Sequence, residues 1–293
     1  GRPTVEAELH LNAFCRYMRH RSATIVTSAL AIAWATDLPG AQPASCAGRL
    51  SSVRGFARYL HGVDGRHEVP PQRLLPYSPR RRQPYLYTDD EVRQLMASAA
   101  AMPSRQTLRP ITLACLIGLL AVTGMRVSEA LALTREDVDL EHGLITVRRT
   151  KFRKTRLVPL HPTSVAALAR YAQERDALLG TRVQAPQFLL TGLGRAFAGS
   201  QARLSFLALC RALRLARPVG RHRGPGFHDF RHRFATRTLL QWAHDGADVE
   251  RLMPVLTTFL GHTNIADTYW FLHQQPRDAW TFELDLRPWS ERW

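Results

Sequence analysis

The chain has 293 residues, 45% hydrophobic and 22% charged, the balance of a folded globular protein with one large or two ordinary domains. A formal net charge of +16 points to a polyanionic partner, with nucleic acid ahead of membrane because no long basic helix with an aromatic face appears. Four scattered cysteines without CxxC spacing give no sign of a zinc site or disulfide framework, and no secretory signal pattern opens the sequence; the expectation is a soluble intracellular protein without a metal.

Residues 1–72 read as a small helical domain. Val5 to Met18 carries Leu9, Leu11, Phe14 and Met18 at helical spacing, Ser22 to Trp34 is a second candidate, and Ser45 to Leu60 a third. Thr36 to Pro43, with Pro39-Gly40 inside it, breaks the pattern. Residues 73–87 read as a linker, since prolines and the run Arg80-Arg81-Arg82 keep such a segment extended. Thr88-Asp89-Asp90-Glu91 has the form of a capping box and opens a second domain, 88–293.

This second domain is mixed. Ile111 to Val122 is the longest apolar run, too short to cross a bilayer and expected as a buried helix. Gly143 to Arg149 and Thr155 to Leu160 alternate in strand fashion around the basic turn Lys151-Phe152-Arg153-Lys154. Pro162 to Leu179 is helical, Gln187 to Thr191 a short strand, and the remainder mostly helix. The fold class is therefore mostly α with a small β-sheet.

Certain residues stand out chemically. Lys151 and Lys154 are the only lysines in a chain that otherwise uses arginine, and they sit at one hairpin tip. A lysine can be tuned to give up a proton, whereas arginine resists it. Arg126 and Glu129 are three apart, so a helix would place them on one face, which alone would be an ordinary ion pair. His228 and Arg231 have the same spacing, with Asp229 and Phe230 turned elsewhere; a lone histidine on a helix is more often structural. His262 follows an apolar helix, Leu252 to Leu260, which Gly261 would end. Nine arginines between Arg203 and Arg237 face a single acid, Asp229, although such richness also reflects coding bias and solvated surface.

TGMRVSEAL (Thr123 to Leu131), HDFRHRFAT (His228 to Thr236), LGHTN (Leu260 to Asn264) and ADTYWFL (Ala266 to Leu272), taken in that order, resemble the active-site boxes of the tyrosine recombinases, the phage-integrase family. KFRKTRLVPL resembles the hairpin that supplies their catalytic lysine, with Lys151 on that position. The resemblance implies a helical N-terminal DNA-binding domain and a mixed catalytic domain. Arg126, Arg231, His228 and His262 would hold the scissile phosphate, Glu129 would support them, and no divalent cation or cofactor would be needed. Contacts to double-stranded DNA are expected from Arg80, Arg81, Arg82, Arg153, Lys154, Arg221 and Arg223, while His222 and His232 are expected as bystanders or phosphate contacts. The partners implied are DNA and further copies of the chain, a dimer per site and a tetramer in synapsis, working in the bacterial cytoplasm at the nucleoid. The apolar tail, His273 to Trp293, would pack on a neighbouring copy or fold back on its own domain.

Three features depart from the family pattern. Phe230 replaces a leucine, HDGADVERLMPVL (His244 to Leu256) looks like an insertion, and Phe271 stands nine residues after His262, where the family keeps its nucleophilic tyrosine. Phenylalanine has no hydroxyl with which to attack. The chain is then an engineered Tyr→Phe form, which the filled remaining positions favour, or a natural relative that binds without cutting. A third possibility is an enzyme using Tyr269, which helical geometry turns about 200° away. A type IB topoisomerase is the rival enzyme class.

Overall fold

Leu50, Val53 and Ala57, three and four residues apart, share one helix face and meet Phe14, Ala31 and Trp34 from two other helices in a wholly apolar core. A computed structural model describes residues 5–76, 84–103, 108–148, 155–215 and 224–261 of the chain, which divides into two compact units, Gly1–Arg81 and Arg82–Trp293. The first unit contains α1 (Val5–His20), α2 (Ser28–Thr36) and α3 (Pro43–Val63).

Helix α2 begins at Ser28 rather than near Ser22, as its sequence pattern suggests. Thr27 caps it by accepting from the Leu30 amide at 3.2 Å, and residues 26–28 pair with a later segment: Glu68 N donates to Val26 O and Ser28 N to the Glu68 carboxylate, both at 2.8 Å. These bonds engage backbone that a longer helix would use. Arg54 donates to the carbonyls of Pro70 and Pro71, and Leu75 packs on the same core, so the chain remains on the first unit past α3.

In the second unit the Thr88–Glu91 capping box is present in full and starts α4 (Asp89–Ala100). Tyr85 and Tyr87, assigned to the linker by sequence, pack against this unit's core, Tyr87 being buried. At its centre lies α5 (Leu108–Thr123), longer than the apolar run and buried on several sides; α4, α7, α8 and α9 all pack on it. After α6 (Val127–Ala132), the strands β1 (Val138–Asp139), β2 (Leu144–Val147) and β3 (Arg156–Pro159) form an antiparallel sheet in that order, with Ile145 opposite Val158 and Val147 opposite Arg156. Helix α7 (Pro162–Leu179) has the bounds read from sequence.

Gln187 to Thr191 is not a regular strand. It makes isolated bridges, Gln187 to Thr134 and Leu190 to Ala196, while Phe188, Leu189 and Leu190 fill the core. The apolar run reflects burial more than ladder formation. Helices α8 (Gly199–Ala212), α9 (Phe227–His244) and α10 (Val249–Leu260) follow. The stretch that resembles an insertion is the end of α9, a turn with Gly246 at φ +69°, and the opening of α10, whose cap Asp248 accepts from Arg251 N at 3.0 Å. Gly261 ends α10 in the left-handed conformation, φ +68°, as expected.

Candidate functional site

The site starts where α5 stops. Gly124, at φ +59°, turns the chain so closely past α9 that a Cβ there would lie 2.7 Å from the Phe234 ring. Arg126 then caps α6 with extended backbone, φ −71° and ψ 144°. Arg126 and Glu129 do meet, but not as two side chains on a helix face. Glu129 reaches back to accept from Arg126 N at 3.0 Å and from Arg126 Nη1 at 2.9 Å, so the helix start itself fixes the pair.

Helix α9 brings the second group. Asp229 accepts from Gly226 N at 2.8 Å and from Tyr85 N at 3.3 Å, which starts the helix and ties residue 85 to it. Phe230 faces inward and stacks on Tyr87, with ring centroids 4.4 Å apart. The larger ring in place of the family's leucine thus has a partner. His228 is exposed on the first turn and meets the His232 ring edge-on at 4.8 Å. His232 is buried against it.

Arg231 is 1% exposed. Its Nη1 donates to Gly124 O at 3.0 Å and its Nη2 to Leu260 O at 2.6 Å, bridging the α5–α6 turn and the end of α10. Burial, with Arg126 and Arg156 nearby and only partly offset by Glu129, lowers its pKa to about 9. This cation is held against the preference of its surroundings.

Arg156 was missed by the sequence reading. From β3 it sets a fork on Glu129, Nη2 to Oε2 at 2.7 Å and Nη1 to Oε1 at 3.3 Å, and donates through Nε to Phe259 O at 2.8 Å. Only the strand's register reveals it: Val158 is buried, so period 2 puts Arg156 on the inner face. Burial alone would raise the Glu129 pKa, but bonds from Arg156 and Arg126 outweigh it and hold the carboxyl at about 2. Two guanidiniums therefore bond one ionised carboxylate, and Arg231, bonded to backbone carbonyls, lies close enough to feel all three charges, leaving excess positive charge in a mostly buried place. That is a site for an anion.

Lys151, Arg153 and Lys154 lie outside the described residues, as do Arg80, Arg81, Arg82, His222, Arg221, Arg223, His262, Tyr269, Phe271 and the tail after it. Among the described residues no group of His, Cys, Asp and Glu could hold a metal, and no helix is long and apolar enough to cross a membrane. A cavity of about 960 Å³ between α4, α5, α7 and α9 is lined by Met96, Ile111, Cys115, Phe234 and Trp242, among others, and by none of the clustered site residues.

Mostly helical, with a three-stranded sheet and an arginine cluster of this kind, the second unit has the fold of tyrosine recombinase catalytic domains. Residues 86–277 match the phage integrase family, and the chain belongs to that family. It is 40% identical over 274 residues, covering 92% of this chain and 87% of the relative, to the integrase/recombinase y4rB of Sinorhizobium fredii. It is 33% identical to the tyrosine recombinase XerD of Caulobacter vibrioides, over 80% of this chain and 72% of that one. The Tn1549 transposon integrase, solved in complex with transposon right end DNA, shares the fold with a TM-score of 0.67 at 19% identity, covering 95% of this chain and 92% of that one.

Proposed function

We propose that this chain is a site-specific DNA recombinase of the integrase type, whose arginine cluster grips one phosphate of the DNA backbone. The observation that supports the reading is the gathering of three arginines about one carboxylate: Arg126 and Arg156 bond Glu129, and Arg231 is buried near enough to feel their charges. A phosphodiester repels nucleophiles because it is negatively charged, and preorganised cations lower that barrier by stabilising the five-coordinate transition state. On this reading Arg126, Arg231, His228 and His262 hold the phosphate, and Lys151 gives a proton to the departing 5′-oxygen. A tyrosine hydroxyl at position 271 would attack phosphorus, forming a 3′-phosphotyrosyl bond as the bond to the 5′-oxygen breaks.

With Phe271 the chain binds DNA and does not cut it. Residues 1–72 and the basic residues Arg80, Arg81, Arg82, Arg153, Lys154, Arg221 and Arg223 add phosphate contacts along the duplex, and copies of the chain pair on each site and synapse as tetramers at the nucleoid. Recombinase is preferred to topoisomerase because relatives at 33–40% identity over most of the chain carry integrase and recombinase names. The alternative of a natural accessory that binds without cutting is favoured by Phe271 alone.

Phe271→Tyr tests this directly. The restored protein, incubated with DNA flanking its gene, is expected to give covalent protein–DNA adducts that survive denaturing electrophoresis. Absence of adducts on every such fragment would favour the accessory.

A further inference from the structure

Arg156 joins three elements that the sequence keeps far apart. From β3 it holds Glu129 on α6 with two parallel bonds and the Phe259 carbonyl on α10 with a third. Its side chain is 9% exposed. Gly261 lies against the same guanidinium: a Cβ there would come within 3.0 Å of Arg156 Nη1, so a side chain at 261 would have to displace the arginine or itself.

Glu129 has four bonds, two at each oxygen: Arg126 Nη1 and Arg156 Nη1 at Oε1, Arg126 N and Arg156 Nη2 at Oε2. That fills the capacity of a carboxylate. Half of it is taken by Arg156. Among the described residues, the Arg126 guanidinium in consequence gives Glu129 a single N–H, and its side chain remains 27% exposed. Were Arg156 absent, the emptied acceptor positions would draw Arg126 into a bidentate clamp on Glu129, the geometry in which the two groups bind most strongly. Arg126 would then be neutralised where it has to face phosphate.

The last turn of α10 points the same way. Carbonyls at a helix end lack intrahelical partners and carry partial negative charge. Here Phe259 O is taken by Arg156 and Leu260 O by Arg231, immediately before the chain runs on to His262.

We propose that Arg156 is a positioning residue of the site: it occupies Glu129 so that Arg126 keeps its donors for a phosphate, and it fastens the end of α10 that leads to His262. The proposal rests on the recombinase reading for its role in cleavage, though its charge-partition half concerns any phosphate ligand. It makes a double substitution informative. A merely structural strut, once lost, is not repaired by changing its partner. If Arg156 acts by occupying Glu129, then removing the Glu129 charge as well should return Arg126 to the phosphate.

Two experiments decide it. The chain as it stands, with Phe271, is melted in inorganic phosphate and in chloride at matched ionic strength. The part of the phosphate stabilisation that Arg126→Ala abolishes is the contribution of the site. Arg156→Ala is expected to weaken this part about 10- to 100-fold in apparent affinity, the usual effect of losing a group that orients a functional ligand. Arg156→Ala with Glu129→Gln should recover a substantial share, and Arg156→Lys, which has no planar fork, should fall between. Undiminished phosphate stabilisation in Arg156→Ala, a deeper loss in the double variant, or stabilisation indifferent to Arg126→Ala would each overturn the proposal.

The second experiment places the same changes in the Phe271→Tyr protein on DNA flanking its gene. Adduct formation should slow about 10- to 100-fold in Arg156→Ala and partly return with Glu129→Gln, while DNA affinity in gel shift, spread over many phosphate contacts, falls by much less than the adduct rate. Equal adduct rates in Arg156→Ala and its parent would overturn the proposal. If the parent forms no adduct at all, the recombinase reading falls, and the phosphate melts still decide the role of Arg156.

Discussion

Two arginines are buried in the second unit to nearly the same depth, and their surroundings differ in kind. Arg175 on α7 is 2% exposed; it forks onto Asp176 at 2.8 and 3.0 Å, donates to Phe188 O at 2.8 Å, and lies 5.0 Å from the Phe188 ring centroid. Arg231 on α9 is 1% exposed; its bonds go to two backbone carbonyls, and its nearest charges include two further arginines. The first is neutralised where it stands and holds the fold together. The second is a buried cation bonded to backbone carbonyls and to no carboxylate among the described residues, an arrangement that costs stability and makes sense where an anion is to be received.

Replacing each arginine by methionine should separate the two roles. In the Phe271→Tyr protein, Arg231→Met is expected to slow adduct formation about 10³-fold, the upper range for losing a donor to a developing phosphate charge. Its stability should change by less than about 1 kcal/mol, because relief of an unfavourable buried charge offsets two lost carbonyl bonds. Arg175→Met should do the reverse, lowering unfolding free energy in urea by about 3 kcal/mol as Phe188 O and Asp176 lose a partner, with adduct rate per folded molecule unchanged. Equal stability losses in the two variants would erase the distinction.

Acid should sharpen it. Glu129 has its pKa depressed from 4.5 to about 2, so its contribution is present above 4.5 and is lost as pH falls through that range. Asp176 is also lowered, by its bonds to Arg175 and the nearby Arg135, but its side chain is 45% exposed and solvent weakens the effect. Between pH 5 and pH 2 the native protein should lose about 2 kcal/mol more than Glu129→Gln in urea titrations. Asp176→Asn should remove a smaller part of the acid loss.

Much of this was legible in sequence, and what was not has physical causes. Thr88 to Glu91, Gly261 and the bounds of α7 follow from local chemistry: a hydroxyl three residues before a carboxylate, a glycine after an apolar run, a proline at the first turn. Arg126, Glu129, His228 and Arg231 were singled out by motif; Arg126 bonds Glu129, and Arg231 lies near enough to feel both charges. The start of α2 was misread because its competitors, His67 and Glu68, are some forty residues away. Gln187 to Thr191 was misread because an apolar run of five reports burial and not pairing. Arg156 escaped because in an arginine-rich chain one more arginine carries no signal until strand register shows that it faces inward.

The smallest effect concerns the α4 start and whether it belongs to the fold or to the site. Thr88 accepts from Glu91 N at 3.1 Å, and Glu91 accepts from Thr88 N at 2.8 Å. Next to them Arg233 on α9 donates to Tyr87 O at 3.0 Å, and Arg233 and Arg237 both pair with Asp89. Helix α9 thus already grips residues 87–89 without the cap. Thr88→Ala should therefore cost about 1 kcal/mol in urea unfolding, the usual value for a lost threonine cap, and leave adduct formation by the Phe271→Tyr protein within twofold. A slowing well beyond twofold would mean that the cap transmits to His228 and Arg231 through α9, and would place the α4 start with the arginine cluster rather than with Arg175 and the scaffold.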